Sequence, residues 1–151
     1  EPIRALMLSL APSKVPPLLP WLAHVDAVLG SEVAVELLRR HPDDAHIVAA
    51  ALVVVLDPGV LPELARFAQS ADADVRKNLA VAYGHLGNLA DTETVTQLMC
   101  DKVWWVRYRA GQALLKLKGM SDERLEAVRA HLTDSYARDM LRHVQAEAAI
   151  P

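Results

Sequence analysis

Two stretches of the sequence decide the fold class: DADVRKNLAVAYGHLG at residues 72–87 and DKVWWVRYRAGQALLKLKG at residues 101–119. Each begins with an aspartate, reaches a Val-Arg pair a few residues later and ends at a glycine. Val75 and Val106 stand 31 residues apart, and Ala137-Arg138 follows after another 31. A fixed period in this range is typical of repeat proteins built from stacked pairs of helices.

Apolar residues after each Val-Arg pair recur at the spacing of one buried helix face. In the first stretch these residues are Val75, Leu79, Ala82 and Leu86. Gly87 and Gly119 close the two stretches, and glycine often takes the left-handed position just past a helix end. The pattern predicts one helix in each stretch, with glycine as its stop signal.

Shorter helices are predicted between these stretches, at residues 92–100 after Asp91 and at residues 122–132 after Ser121, because both preceding residues suit an N-cap. Residues 15–23 and 60–68 carry prolines in a first helical turn and resemble the second helices of earlier repeats.

Residues 26–40 and 44–56 also have helical patterns, which is one helix too many for strict alternation between the two proline-bearing helices. The repeat is therefore irregular there, or one helix is broken near Gly30. No segment has the pattern of a strand.

The predicted fold is all-α, an α-solenoid of stacked antiparallel helix pairs with about four to five repeats. The chain length of 151 residues suits a single domain, with irregular repeats over residues 1–57 and regular repeats over residues 58–151.

Composition limits the class of function. The net charge is -3, with acidic and basic residues scattered along the chain, which disfavours nucleic acid as a partner. The single cysteine, Cys100, excludes an internal disulfide and favours a cytoplasmic location. The longest apolar run, residues 47–56, is about half the ~20 residues that a membrane span needs. We expect it to be a fully buried helix, with no membrane insertion by this chain.

The period, the paired helices and the Asp before Val-Arg resemble the HEAT-repeat family, above all its short bacterial form, which is similar to the repeats of phycobilin lyases. The match covers roughly residues 58–148 and is weak before Asp57. More narrowly, WWVRYRA at residues 104–110 followed by YARDML at residues 136–141 looks like the soluble domains of membrane-anchored bacterial HEAT proteins, and this resemblance allows the full-length protein to be membrane-anchored. The resemblance implies a scaffold with an extended binding surface.

Charged residues recur at fixed places in the repeat. Arg76, Arg107 and Arg138 share one position, and Asp72, Asp101 and Asp134 precede them. The favoured interpretation is a structural ladder in which each Asp caps a helix or pairs with an Arg. A line of arginines facing a ligand is the alternative.

Trp104 and Trp105 are adjacent, and adjacent residues on a helix point about 100° apart. We therefore expect one of them in the core and the other partly exposed. Together with Tyr108 and Arg109, the exposed ring has the composition of an interaction hot spot. Packing against the neighbouring repeat is the alternative.

The sequence contains no pattern that indicates catalysis. None of the six histidines has a metal-binding HxxxH spacing, and Cys100 follows Leu98 and Met99 as a small packed residue would. Serines lie in no nucleophile motif, and the glycines are isolated. We expect no enzyme activity, no metal and no cofactor.

The leading functional hypothesis is a scaffold that binds another protein. The rival is a HEAT-type nucleic-acid binder or DNA-repair glycosylase. The net charge does not fit it, but five neighbouring residues do: Trp104, Trp105, Arg107, Tyr108 and Arg109. A third hypothesis, a chaperone similar to the chromophore lyases, rests on fold analogy alone.

The two ends of the chain lack a polar cap in the sequence, which predicts that flanking residues or a second subunit cover at least one end. The apolar residues concerned are Ile3, Leu6, Leu10, Leu141, Val144 and Ile150.

Overall fold

A computed structural model describes residues 1–151 and is all-helical, as the sequence predicts. The ten α-helices are α1 Pro2–Ser9, α2 Val15–Val25, α3 Ala27–Arg40, α4 Ala45–Leu52, α5 Leu61–Leu64, α6 Ala73–Leu86, α7 Thr92–Leu98, α8 Trp104–Lys116, α9 Asp122–His131 and α10 Ser135–Ala148. Short 3-10 turns occupy Pro12–Lys14, Pro58–Val60, Ala65–Gln69 and Leu89–Asp91. The single isolated bridge, between Asn88 and Lys118, forms no strand.

The even-numbered helices pack on one another in succession: α2 on α4, α4 on α6, α6 on α8 and α8 on α10. Among the odd-numbered helices, α3 contacts both α2 and α4, and α7 contacts both α6 and α8. α1 contacts α3. Thirty-five buried apolar residues, from Met7 in α1 to Val144 in α10, form one connected cluster. Burial of this cluster is the main force that holds the helices together.

Residues 26–40 and 44–56 contain one helix each, α3 and α4, and the helices before Asp57 alternate like the rest, so neither helix is surplus. α3 runs unbroken through Gly30, α2 packs on α4, and α4 packs on α6. The equivalence drawn between residues 15–23 and residues 60–68 is therefore wrong. Prolines mark the first turn of a helix wherever the helix lies in the fold, and so they do not reveal which neighbour it packs against.

The apolar run at residues 47–56 is not one buried helix. α4 ends at Leu52, and both Val53 and Leu56 are exposed. The backbone N–H of Leu56 donates to the hydroxyl of Ser31, 2.8 Å away, which anchors the chain after the helix end. Asp57 then accepts from the N–H of Gly59 and begins the 3-10 turn before the short α5.

The two glycine stops differ in conformation. Gly119 has a φ of 92°, in the left-handed region that favours glycine, whereas Gly87 has a φ of -78° and is extended. At Gly87 the reason for glycine is space, because a Cβ there would lie 2.6 Å from the carbonyl oxygen of Tyr83. The left-handed prediction is thus wrong for Gly87.

Side-chain caps fix the starts of five of the ten α-helices. Five residues accept from a backbone N–H in the first turn of the following helix: Asp26, Asp44, Asp72, Ser121 and Asp134. Asp91, predicted to cap α7, instead accepts from the N–H of Asn88 in the preceding 3-10 turn.

The two ends of the fold differ in polarity. Of the residues expected to leave the C-terminal end apolar, Leu141 and Val144 are buried and Ile150 is exposed, and exposed residues of α10 include Arg138, Asp139 and Arg142. Ile3 and Leu6 at the other end are exposed. None of the ten helices combines the length and the apolar character needed to cross a membrane.

Candidate functional site

Four aromatic rings form the aromatic surface: Trp104, Trp105 and Tyr108 of α8 and His143 of α10. Trp104 stacks on Tyr108 with ring centroids 4.9 Å apart and an interplanar angle of 11°. Trp105 stands edge-on to Trp104, at 4.8 Å and 89°. His143 lies 6.0 Å from both Trp104 and Tyr108. The rings are therefore held against one another across two helices.

Both tryptophans are exposed, Trp104 by 42% and Trp105 by 57%. The expectation that one of them would be in the core is wrong. Val106 and Ala110 are at the centre of the buried face of α8, and Trp104 precedes Val106 by two residues, about 200° around the helix. Trp104 therefore points away from the core and lies over Tyr108 and towards α10.

A carboxylate of α10 contacts two of the rings. The hydroxyl of Tyr108 donates to Oε2 of Glu147 at 2.8 Å, and Nε2 of His143 lies 3.3 Å from Oε1 of the same residue. The hydrogen bond to Glu147, with burial and the carboxylate charge, raises the pKa of Tyr108 above its ordinary value. Arg109 lies over the Tyr108 ring at 5.8 Å and donates to Gln112.

Sequence reasoning identified the α8 residues of this surface and missed His143 and Glu147 of α10. Their i, i+4 spacing marks them as neighbours on one helix face. It does not show that this face lies beside Tyr108. That information comes from the packing of α8 on α10.

The Asp-Arg ladder is present as one ion pair. Arg76 donates from Nε to Asp101 at 2.7 Å and from a second nitrogen at 3.1 Å, with side chains only 8% and 10% exposed. The hydrogen bond to Asp101 raises the pKa of Arg76. Burial by itself raises the pKa of Asp101, but bonds from Arg76 and the N–H of Val103 outweigh it, and the pKa is lowered.

The other arginines of the ladder lack such a pair. Arg107 donates to the carbonyl oxygen of Asp101 at 2.8 Å and lies over the Tyr136 ring at 5.0 Å. Arg138 is exposed and forms no ion pair. Asp72 and Asp134 accept from backbone N–H groups as helix caps. The ladder is therefore a set of caps with one cross-link, from Arg76 in α6 to Asp101 in the segment before α8.

Groups suited to chemistry are dispersed. Nowhere do three His, Cys, Asp or Glu side chains come together in a way that could hold a metal. Cys100 is exposed, not packed as expected, and partial burial of its thiol together with the charge of Asp134 raises its pKa, which disfavours the reactive thiolate.

An apolar groove with a volume of about 530 Å³ lies between α7 and α9. Leu89, Val128 and Leu132 contribute its apolar lining, and Glu93 and His131 lie at its polar edge. It has no cluster of reactive groups, and we assign it no activity.

Comparisons of the chain with protein-family models, with curated proteins and with solved structures find no match. What the chain does is therefore inferred from its own residues.

Proposed function

We propose that the chain is a HEAT-type stack of helix pairs, that it works as a non-catalytic scaffold, and that the aromatic surface binds a partner protein. The observation that carries the proposal is the exposure of Trp104 and Trp105 in a cluster whose rings already contact one another. Large aromatic side chains dominate protein interfaces because they bury much area with few rotatable bonds.

Preorganisation supports the binding role. Trp104 is held by its stack on Tyr108, and Tyr108 is held in turn by its hydrogen bond to Glu147. Side chains that are already ordered lose little conformational entropy when a partner binds. The indole N–H groups of both tryptophans form no hydrogen bond within the chain, so they are available to donate to a partner's carbonyl groups.

The repeat assignment is supported by a contact that recurs in phase. Arg76 donates to the carbonyl oxygen of Ser70, six residues earlier, and Arg107 donates to that of Asp101, also six residues earlier. Both bonds are 2.8 Å long, in helices that follow one another in the series α4, α6, α8. Stacked repeats of one unit account for this coincidence.

Protein is favoured over nucleic acid because of the charges near the rings. Glu147 places a carboxylate within the aromatic surface, and the chain as a whole has a charge of -3. A phosphate-binding groove needs cations along its path. Nucleic-acid binding remains the second hypothesis, on the strength of the exposed Trp105 ring and the nearby Arg109.

The experiment compares wild type, Trp105→Ala and Leu56→Ala as immobilised baits in nuclease-treated lysate, after circular dichroism shows equal helicity. Leu56 is the control because it is an apolar residue of similar exposure that lies outside the aromatic surface. We expect a protein retained by wild type and Leu56→Ala and lost from Trp105→Ala. Equal retention by all three baits would contradict the proposed surface.

A labelled single-stranded oligonucleotide tests the nucleic-acid hypothesis directly by fluorescence anisotropy. Binding that weakens steeply between about 50 and 200 mM salt, and that Trp105→Ala abolishes, would replace the scaffold hypothesis.

A further inference from the structure

An unpartnered apolar stripe runs along α2. Leu18, Trp21 and Val25 follow the i, i+3, i+7 spacing of one helix face, and they are 40%, 58% and 63% exposed. Spacing alone makes the stripe contiguous, because residues three and four apart are neighbours on a helix surface.

The other apolar face of α2 is packed within the fold. Val15, Leu19 and Leu22 are buried in the core, and α2 packs on α3 and α4. Nothing within the chain covers the outer stripe, although a tryptophan lies at its centre. Exposed apolar patches of this kind mark interaction surfaces.

The end of the helix series opposite α2, formed by α10, is too charged to cover this stripe in a second copy. Exposed residues of α10 include Arg138, Asp139 and Arg142. Head-to-tail association of two copies would place these charges against Trp21, removing the Arg142–Asp139 pair from water together with Arg138, which has no ion partner, and this is costly. An apolar end can pair with the same end of a second copy, and this pairing closes as a two-fold dimer.

We propose that two copies of this chain form a symmetric dimer in which their α2 helices pack antiparallel through Leu18, Trp21 and Val25. Charge favours the antiparallel orientation. Lys14 flanks the stripe at its N-terminal end and Asp26 at its C-terminal end, and Lys14 has no ion partner within the chain. Antiparallel packing about Trp21 brings Lys14 of one copy close to Asp26 of the other, twice in each dimer.

The dimer leaves the aromatic surface free. α2 contacts α4, and α6 separates α4 from the aromatic helix α8. One assembly therefore displays two aromatic surfaces, and if the proposed function is right, a partner with two binding sites gains avidity.

The test is sedimentation equilibrium of wild type, Trp21→Glu and Trp105→Glu across a range of concentrations. We expect wild type and Trp105→Glu to reach twice the 16.5 kDa monomer mass. Trp21→Glu should raise the dimer dissociation constant by at least about 100-fold, because each dimer loses two central tryptophans. Circular dichroism checks that all three proteins are folded. If Trp21→Glu does not fold, Val25→Gln replaces it as a milder change to the same stripe.

A wild type that stays monomeric at the highest concentration reached would overturn the dimer, since another protein or another segment must then cover the stripe. A dimer that Trp21→Glu leaves intact, or a series of higher oligomers, would also overturn it.

Disulfide trapping tests the orientation in a Cys100→Ser background. Leu18→Cys and Val25→Cys proteins are mixed and oxidised, and mass spectrometry identifies the linked pairs. Antiparallel packing predicts that the mixed 18–25 link exceeds either self-link, whereas dominant self-links would show parallel packing and overturn the proposed arrangement.

Discussion

At the scale of single residues, the Arg76–Asp101 pair is the most constrained polar contact in the protein. Both side chains are nearly excluded from water, and Arg76 also donates to the carbonyl oxygen of Ser70. A buried ion pair stabilises a protein little more than apolar residues at the same two positions would. Removal of one partner alone is costly, because the other charge then stays buried without its counter-charge. Arg107, at the same repeat position, has only carbonyl partners for its hydrogen bonds.

Arg76→Met should therefore lower the free energy of unfolding by about 3–5 kcal/mol, because Asp101 would remain buried without its counter-charge. Arg107→Met, the matched control, should cost only about 1–2 kcal/mol. Urea unfolding followed by circular dichroism measures both. Equal losses would show that Asp101 is rehydrated once Arg76 is removed.

The lowered pKa of Asp101 makes this contribution dependent on pH. A carboxylate whose folded pKa lies below its unfolded value of about 3.9 stabilises the protein above that value. The stabilisation is lost as the pH falls through the lowered folded pKa. The stability difference between wild type and Asp101→Asn should thus be constant from pH 7 to about 5 and shrink below pH 4. A difference that persists at lower pH would contradict this.

Glu147→Gln tests the electrostatics of the aromatic surface. The hydrogen bond to Glu147 is the main cause of the raised pKa of Tyr108, so the variant should return that pKa towards its ordinary value of about 10. Ultraviolet titration of tyrosinate absorbance measures it, and Tyr108→Phe identifies the transition that belongs to Tyr108. An unchanged titration would place the Tyr108 hydroxyl away from Glu147.

At the scale of the elements, close helix packing depends on two glycines with different neighbours. A Cβ on Gly30 in α3 would lie 2.7 Å from the Cα of Ala23 in α2. A Cβ on Gly111 in α8 would meet side-chain carbons of Met140 and Val144 in α10, the nearest at 3.1 Å. Backbone atoms cannot move aside without shifting a helix, whereas side chains can adjust.

Gly30→Ala should therefore destabilise the protein by about 1–3 kcal/mol, since the forced separation of α2 and α3 exceeds the gain in helix propensity. Gly111→Ala should stay within about 1 kcal/mol of wild type. Thermal unfolding followed by circular dichroism compares the two variants. A neutral Gly30→Ala would mean that α2 and α3 are not in close contact.

At the scale of the whole molecule, the buried apolar cluster is continuous from α1 to α10. Leu19 in α2 and Leu141 in α10 are both fully buried and lie in helices that do not pack on each other. A connected core in a chain of this size favours one cooperative unfolding transition.

Leu19→Ala and Leu141→Ala should each lower the free energy of unfolding by about 2–5 kcal/mol, through lost burial and the cavity left behind. Both should keep a single transition in circular dichroism. A second transition in either variant would show that the two ends unfold independently.

Much of the helical content could be read from the sequence because its signals are local. Asp26, Asp44, Asp72 and Asp134 cap the helices that follow them, and the spacing of apolar residues defines the buried faces of α6 and α8. The early end of α4 at Leu52 was missed, because apolar residues continue to Leu56 and the backbone there is held by Ser31 of another helix.

The sequence by itself determined that the chain is all-helical and that α6, α8 and α10 begin 31 residues apart, since both properties follow from the periodicity of neighbouring residues. Only the tertiary structure decided that both tryptophans are exposed, that His143 and Glu147 join them, and that Arg76 is the one of the three arginines spaced 31 residues apart that forms an ion pair. These contacts join residues distant in the chain, and their distances depend on how each helix packs against the next, which no local pattern encodes.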